Sequence, residues 1–292
     1  MRQDDSPWTD ADGRVIDEDH RGLVYDIRTL IDRRRALGIF GGVALTSLLT
    51  ACGVKTDADA TAGAASPASG TPTPSASATA EASAPLDEVP DETGGPYPGD
   101  GSNGVNVLDD SGIVRTDIRS SFGSSTTVAQ GVPLTIALTV RDATTGAALA
   151  GRGVYLWHCD RDGGYSLYSQ GVEDENYLRG VQETDASGTV TFTSIYPACY
   201  SGRWPHIHFE VYDDVATAVA SGPIVKTSQI ALPDEANSAV YATSGYERSV
   251  DNAARVSLQS DNVFADDGGI HQIATMSGSV DDGFRAALTI GV

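Results

Sequence analysis

Two phenols and two imidazoles crowd one short stretch of the chain. Tyr165, Tyr200, His206 and His208 lie between Cys159 and Phe209, in CDRDGGYSLYS and TDASGTVTFTSIYPACYSGRWPHIHFEV. The set holds no thiolate, and a facial Fe(II) triad would want a carboxylate beside the histidines. Phenolates are hard anions and favour Fe(III). A free tyrosine has a pKa of about 10, so both phenols ionise only where a trivalent ion supplies the compensating charge. Two phenolates and a hydroxide balance that ion. A catecholate dianion can replace the hydroxide and one phenolate without changing the sum, and the displaced phenolate can carry off a substrate proton. Taken alone, these residues point to a ferric site with an exchangeable anionic ligand.

The elements around them can bring the four side chains together. His206-Ile207-His208-Phe209-Glu210-Val211-Tyr212 alternates with a period of two. As a strand it puts Ile207, Phe209 and Val211 on one face and both histidines on the other, free of the apolar core. Pro205 lacks a ladder donor and suits a strand start. Cys199 to Arg203 reads as a turn that brings Tyr200 back over the strand, Thr184 to Gly188 as a turn between strands, and Gly163-Gly164-Tyr165 as a loop able to present a phenol. A His-x-His pair on a strand is weak evidence alone, because exposed strand histidines are common. The whole constellation carries the weight.

At these spacings the chain resembles the intradiol ring-cleaving dioxygenases of the catechol and protocatechuate type, from about Glu92 to Leu232. That family has a G-x-Y loop, a T-D-x-x-G-x-x-x-F-x-[TS]-I-x-P-x-x-Y run and an R-x-P-H-I-H segment, and all three stand here. The resemblance implies a non-haem Fe(III) cofactor held by Tyr165, Tyr200, His206 and His208, with Tyr165 and His208 equatorial, Tyr200 and His206 axial, and Tyr200 the ligand that leaves. It implies that Arg203 stabilises the carbanion-like, ketonised substrate, that Gln229 lines the pocket, and that the ETGGPY segment with Pro96 and Tyr97 borders the substrate. The implied reaction opens a catechol ring between its two hydroxylated carbons with both atoms of O2, giving a cis,cis-muconate-type diacid. Only five residues separate Tyr200 from His206, fewer than in the cytoplasmic enzymes, and Ala198 stands where glycine is usual. A trimmed loop over the site is therefore expected. A rival reading has the same sandwich hold iron and a catechol-bearing ligand, such as a siderophore, without cleaving it.

Upstream, residues 1–51 read as a polar, acidic leader followed by an export signal. Arg33-Arg34-Arg35 precedes an uncharged run, Ala36 to Ala51, of 16 residues. That is shorter than the roughly 20 needed to span a bilayer and suits a signal-peptide core. The arginines resemble a twin-arginine signal and Leu49-Thr50-Ala51-Cys52 a lipobox, which would make Cys52 a lipidated N-terminus on an exported, membrane-anchored protein. Residues 52–90, rich in Ala, Ser, Thr and Pro, cannot bury enough apolar surface to offset their ordering entropy and read as a flexible tether.

Residues 91–292 read as an all-β domain. Val132, Leu134, Ile136, Leu138 and Val140 alternate, as do Phe284, Ala286, Leu288, Ile290 and Val292, with no long amphipathic helix between them. Short strands with Gly, Asp and Asn turns indicate an antiparallel β-sandwich with the metal site in edge loops. Outside the cytoplasm a cysteine pair is more often bridged than free, so a disulfide between Cys159 and Cys199 is expected to clamp the two tyrosine loops. Trp157 and Trp204 read as packing groups, Trp204 also as a pocket wall. His158 reads as a structural or supporting histidine. With 40 acidic against 19 basic residues the net charge is −21, which argues against nucleic acid and gives an anionic substrate no steering. The implied partners are a small aromatic diol, O2 and the membrane; a homo-oligomer is compatible with the sequence.

Overall fold

The computed structural model describes residues 84–292. The leader, the apolar run, Cys52 and the tether up to residue 83 lie outside the described residues. The elements in chain order are β1 (Pro133–Arg141), β2 (Gly153–Trp157), β3 (Arg179–Glu183), β4 (Thr189–Ile195), β5 (His206–Tyr212), α1 (Val215–Val219), β6 (Ile224–Ala231), α2 (Asp234–Tyr241), α3 (Glu247–Ala253), β7 (Thr275–Ser279) and β8 (Gly283–Gly291). The strands form two four-stranded sheets, ordered β4-β1-β8-β7 and β3-β2-β5-β6.

Period-two patterning decides what lies between the sheets. Leu134, Ile136, Leu138 and Val140 of β1, Phe192 of β4 and Phe284, Ala286 and Ile290 of β8 meet Val154, Leu156, Ile207, Phe209, Val211 and Ile230 of the second sheet in one buried core. Removing such aliphatic and aromatic surface from water supplies the main stabilisation of a sandwich.

One pairing departs from the expected antiparallel sheets. β1 and β8 run parallel, with Leu134 opposite Phe284 and Val140 opposite Ile290, whereas the other strand pairs are antiparallel. A parallel pair needs a long crossover, and here nearly the whole domain separates the two strands. The described helices are short, 8 residues for α2 and 7 for α3.

The compact unit also begins earlier than residue 91. Leu86 N–H donates to Ala143 O at 2.9 Å and Val89 N–H to Gly291 O at 3.0 Å. Val89 is buried, and Lys226 Nζ holds Glu88 at 2.7 Å and Asp91 at 3.1 Å.

From there residues 92–108 cross the outer face of the second sheet as a strap. Glu92 N–H donates to Thr227 O at 2.8 Å, Gln229 Nε2 to Thr93 O at 2.9 Å and Tyr155 Oη to Pro98 O at 2.7 Å. Val107 and Leu108 seal it against Tyr155 and Trp157. β2 and β5 are consequently buried on both faces.

Candidate metal centre

β5 carries two of the four donors. Ile207, Phe209 and Val211 enter the sandwich core, so His206 and His208 emerge on the outer face, beneath the strap and loops, and each is buried. His208 stands opposite Trp157 of β2 and Gln229 of β6. The Trp157 indole stacks on its ring at 4.9 Å and 6°.

The two tyrosines arrive on loops with their own supports. Asp160 folds the first loop. Its Oδ1 accepts from Asp162 N–H and Gly164 N–H, each at 2.9 Å, and its Oδ2 from Tyr177 Oη at 3.0 Å. Gly163 has φ +93°, and a Cβ there would lie 3.3 Å from Tyr200 Cβ, so a side chain would be both strained and crowded. The turn with Tyr200 is held from α3: Ser249 Oγ accepts from Cys199 N–H at 3.0 Å and Asn252 Nδ2 donates to Cys199 O at 2.9 Å.

Four donor atoms converge as a result. Tyr165 Oη lies 3.2 Å from His208 Nε2, Tyr200 Oη 3.1 Å from His206 Nε2, and the two Nε2 atoms 3.1 Å apart. His206 Nδ1 lies 2.6 Å from Trp204 O. A carbonyl only accepts, so the ring proton sits on Nδ1 and Nε2 presents a lone pair. Burial holds both imidazoles well below their ordinary pKa, the Arg203 charge adding to it at His206 and the neighbouring His206 at His208. The Tyr165 phenol is pushed well above its ordinary value by burial, and by Tyr200 beside it. The bare His206 Nε2 and the His208 Nε2 face each other at 3.1 Å, flanked by two phenols, and form a cage for a cation. Bonds of about 2.0–2.2 Å at right angles place neighbouring donors about 3 Å apart. Two phenols, ionisable only against high positive charge, fit a ferric ion. Among the described residues no group of three His, Cys, Asp or Glu side chains converges elsewhere to compete.

Arg203 is buried beside this cage with its guanidinium held on two edges. Nε donates to Asp261 Oδ2 at 3.0 Å and Nη2 to Gln229 Oε1 at 2.6 Å, while Nη1 lies 3.5 Å from His206 Nε2. Asp261, fully buried, also accepts from Trp204 N–H at 2.6 Å, Val263 N–H at 2.8 Å and Phe264 N–H at 3.2 Å. Sequence reasoning missed Asp261. It lies 58 residues from Arg203, among many similar acids. Gln229 lies in the site, with both ends of its amide engaged by Arg203 and the strap.

The remaining expectations divide. Tyr97 tilts over Tyr165 at 4.9 Å and 34° and over Tyr168 at 5.2 Å. Pro96, half-buried next to it, accepts from Asn103 Nδ2 at 2.8 Å. Trp204 packs with Ala231, Val263 and Phe264, donates Nε1–H to Leu232 O at 2.8 Å and lines a groove of about 390 Å³ between α2 and α3. His158 has both ring nitrogens occupied, by Cys159 O and Ser194 Oγ at 2.7 Å each. The expected disulfide is not formed. Cys159 and Cys199 are buried free thiols, each turned to a carbonyl, Ala198 O at 3.7 Å and Arg203 O at 3.4 Å.

A family model described as a dioxygenase matches residues 120–215, which include the four donors and Arg203. Chlorocatechol 1,2-dioxygenase from Rhodococcus opacus is 38% identical over 61 residues, covering 21% of this chain and 23% of that protein. A solved intradiol ring-cleavage dioxygenase from Tetranychus urticae superposes with a TM-score of 0.52 at 25% identity, covering 62% of this chain and 87% of the other. Over the matched residues and in its fold the chain is similar to the intradiol ring-cleavage dioxygenases. The match spans about a quarter of the curated relative's length.

Proposed function

We propose that the protein is a non-haem Fe(III) dioxygenase that opens catechol-type rings between the two hydroxylated carbons and delivers a cis,cis-muconate-type diacid containing both atoms of O2. The convergence of Tyr165, Tyr200, His206 and His208 at 3.1–3.2 Å carries this reading. A bound ferric ion would draw electron density from the diol's two oxygens, so that the ring becomes the partner of O2.

The chain's own groups do the rest. Tyr165, His206 and His208 are buried and would hold the cation, whereas Tyr200 is half-buried and would be the donor best placed to take a substrate proton on its oxygen. Arg203 Nη1 faces the site because Asp261 and Gln229 hold the other edges of the guanidinium. A fixed donor of this kind meets negative charge developing on a ketonised substrate oxygen without reorganisation. Tyr97 walls the diol against Tyr165.

Export by a twin-arginine signal and anchoring through a lipidated Cys52 belong to the same proposal, supported by the coincidence of arginines, apolar run and lipobox in the sequence. Oxygen uptake by the iron-loaded protein tests the activity. One O2 consumed per catechol, with a ring-opened diacid as product, is expected. Tight binding of catechol without oxygen uptake would instead make the protein a carrier.

A further inference from the structure

We infer that Arg179 is a positioning residue that locks the loop of Tyr165 to the strap bearing Tyr97, so that the substrate wall and the metal cage move as one piece. Arg179 opens β3 with its side chain buried. Its four hydrogen bonds all go to uncharged oxygens. Nε donates to Ser166 Oγ at 3.0 Å, Nη2 to Ser166 O at 2.9 Å, and Nη1 to Pro98 O at 2.9 Å and Tyr155 Oη at 3.0 Å. Two of the three residues it grips, Pro98 and Ser166, are those immediately after Tyr97 and Tyr165, and the third, Tyr155, itself donates to Pro98 O.

Burying a guanidinium among acceptors that carry no negative charge is costly. Its use here is geometric, because a planar fork with five donors fixes two backbone segments in a way a single ammonium cannot. Three local features are matched to that grip. Gly99 has φ +65°, and a Cβ there would stand 3.0 Å from Arg179 Nη1, so the strap needs glycine to approach this closely. Leu167 (φ +73°) and Leu178 (φ +58°), adjacent to Ser166 and Arg179, take left-handed backbone that a leucine adopts only where its surroundings hold it. The Tyr168 ring lies 5.5 Å from the guanidinium, and its hydroxyl accepts from Gly99 N–H at 2.8 Å, closing the circuit between loop and strap. Gln229, bonded to both Thr93 O and Arg203, fastens the strap's near end to the catalytic arginine.

The structural coupling stands by itself; its catalytic consequence rests on the proposed ferric dioxygenase reading. The test compares wild type, Arg179→Met and Arg179→Lys. In the metal-free proteins, amide hydrogen exchange of residues 96–101 and 165–169 should rise together, by about tenfold or more in Arg179→Met and less in Arg179→Lys, while β1, β4 and β8 keep their protection. In the ferric proteins the phenolate absorption band should shift, and KM for catechol should rise more than kcat falls, with Arg179→Lys recovering part of both. If Arg179→Met does not fold, Arg179→Lys is judged by the same criteria. Loosening of only one segment, of neither, or of all strands alike overturns the coupling. A wild type that neither takes up ferric ion nor consumes oxygen sinks the dioxygenase reading, and the exchange data then decide the coupling alone.

Discussion

The two sheets of the sandwich alternate in the same way, yet their outward faces meet opposite fates. On the first sheet the outer positions include Thr135 and Thr139 of β1, Thr189, Thr191 and Thr193 of β4, and Arg285 and Thr289 of β8, which are half-buried or exposed, with the small Ala137 and the strand-end Ile195 buried among their neighbours. On the second sheet they include Tyr155, Trp157, Arg179, His206, His208, Glu210 and Gln229, all buried, and the face opens towards the far end of β3, at Glu183. The strap and the tyrosine loops make the difference. Under that cover every polar atom needs a partner in the protein or in a bound ion: Arg203 has Asp261, Glu210 accepts from Tyr212 Oη at 2.6 Å, and four donor atoms have one another. His208 Nδ1 and Trp157 Nε1, stacked together, find none. Functional chemistry collects where a sheet face is both polar and dry.

Substitutions on the two faces should separate sharply. Tyr165→Phe, which removes a donor from the covered face, is expected to weaken and shift the visible ferric-phenolate band and lower turnover by about a thousandfold or more, beyond the roughly 10- to 100-fold loss typical of groups one step from a metal. Phe209→Ala, on the inner side of the same strand, should cost about 3–5 kcal/mol in denaturant unfolding. Asp261→Asn keeps the shape of the side chain but leaves the Arg203 charge without its counter-ion. A loss of about 10- to 100-fold in kcat with iron content preserved is expected, and equal kcat would remove Asp261 from the account.

A pH experiment reaches the covered region from another side. Burial holds His158 down to about 4 against about 6.5 in an unfolded chain. Because the folded form favours the neutral ring, its contribution is complete above about pH 6.5 and is lost as pH falls towards 4. His158→Gln should therefore remove about 2 kcal/mol of the stability difference between pH 7 and pH 5, read from denaturation midpoints. The wet face gives the smallest effect: Thr191→Ala should stay within about 0.5 kcal/mol of wild type.

Local patterns were legible in the sequence and distant pairings were not. The alternation in His206 to Tyr212 separates core residues from the two histidines of the outer face, and the spacings of Tyr165, Tyr200, His206 and His208 pick out side chains that meet in space. The runs ending at Val140 and Val292 read as strands, but their parallel pairing depends on the path of everything between them. Asp261 and Arg179 were invisible for a related reason. An acid among many acids, or a basic residue at the head of a polar strand, shows its meaning only once burial leaves it a single place to bond. The cysteine pair was misjudged because compartment and proximity in sequence say nothing of where a thiol points, and here each points to a carbonyl.

Ferric titration of the metal-free protein, followed by visible absorption, tests the central claim most directly. The account predicts a broad phenolate-to-iron band that grows to a sharp end point at one equivalent and is weaker and shifted in Tyr165→Phe, where only the Tyr200 phenolate remains. A folded protein that stays colourless throughout the titration, or a band of equal strength in Tyr165→Phe, would contradict it.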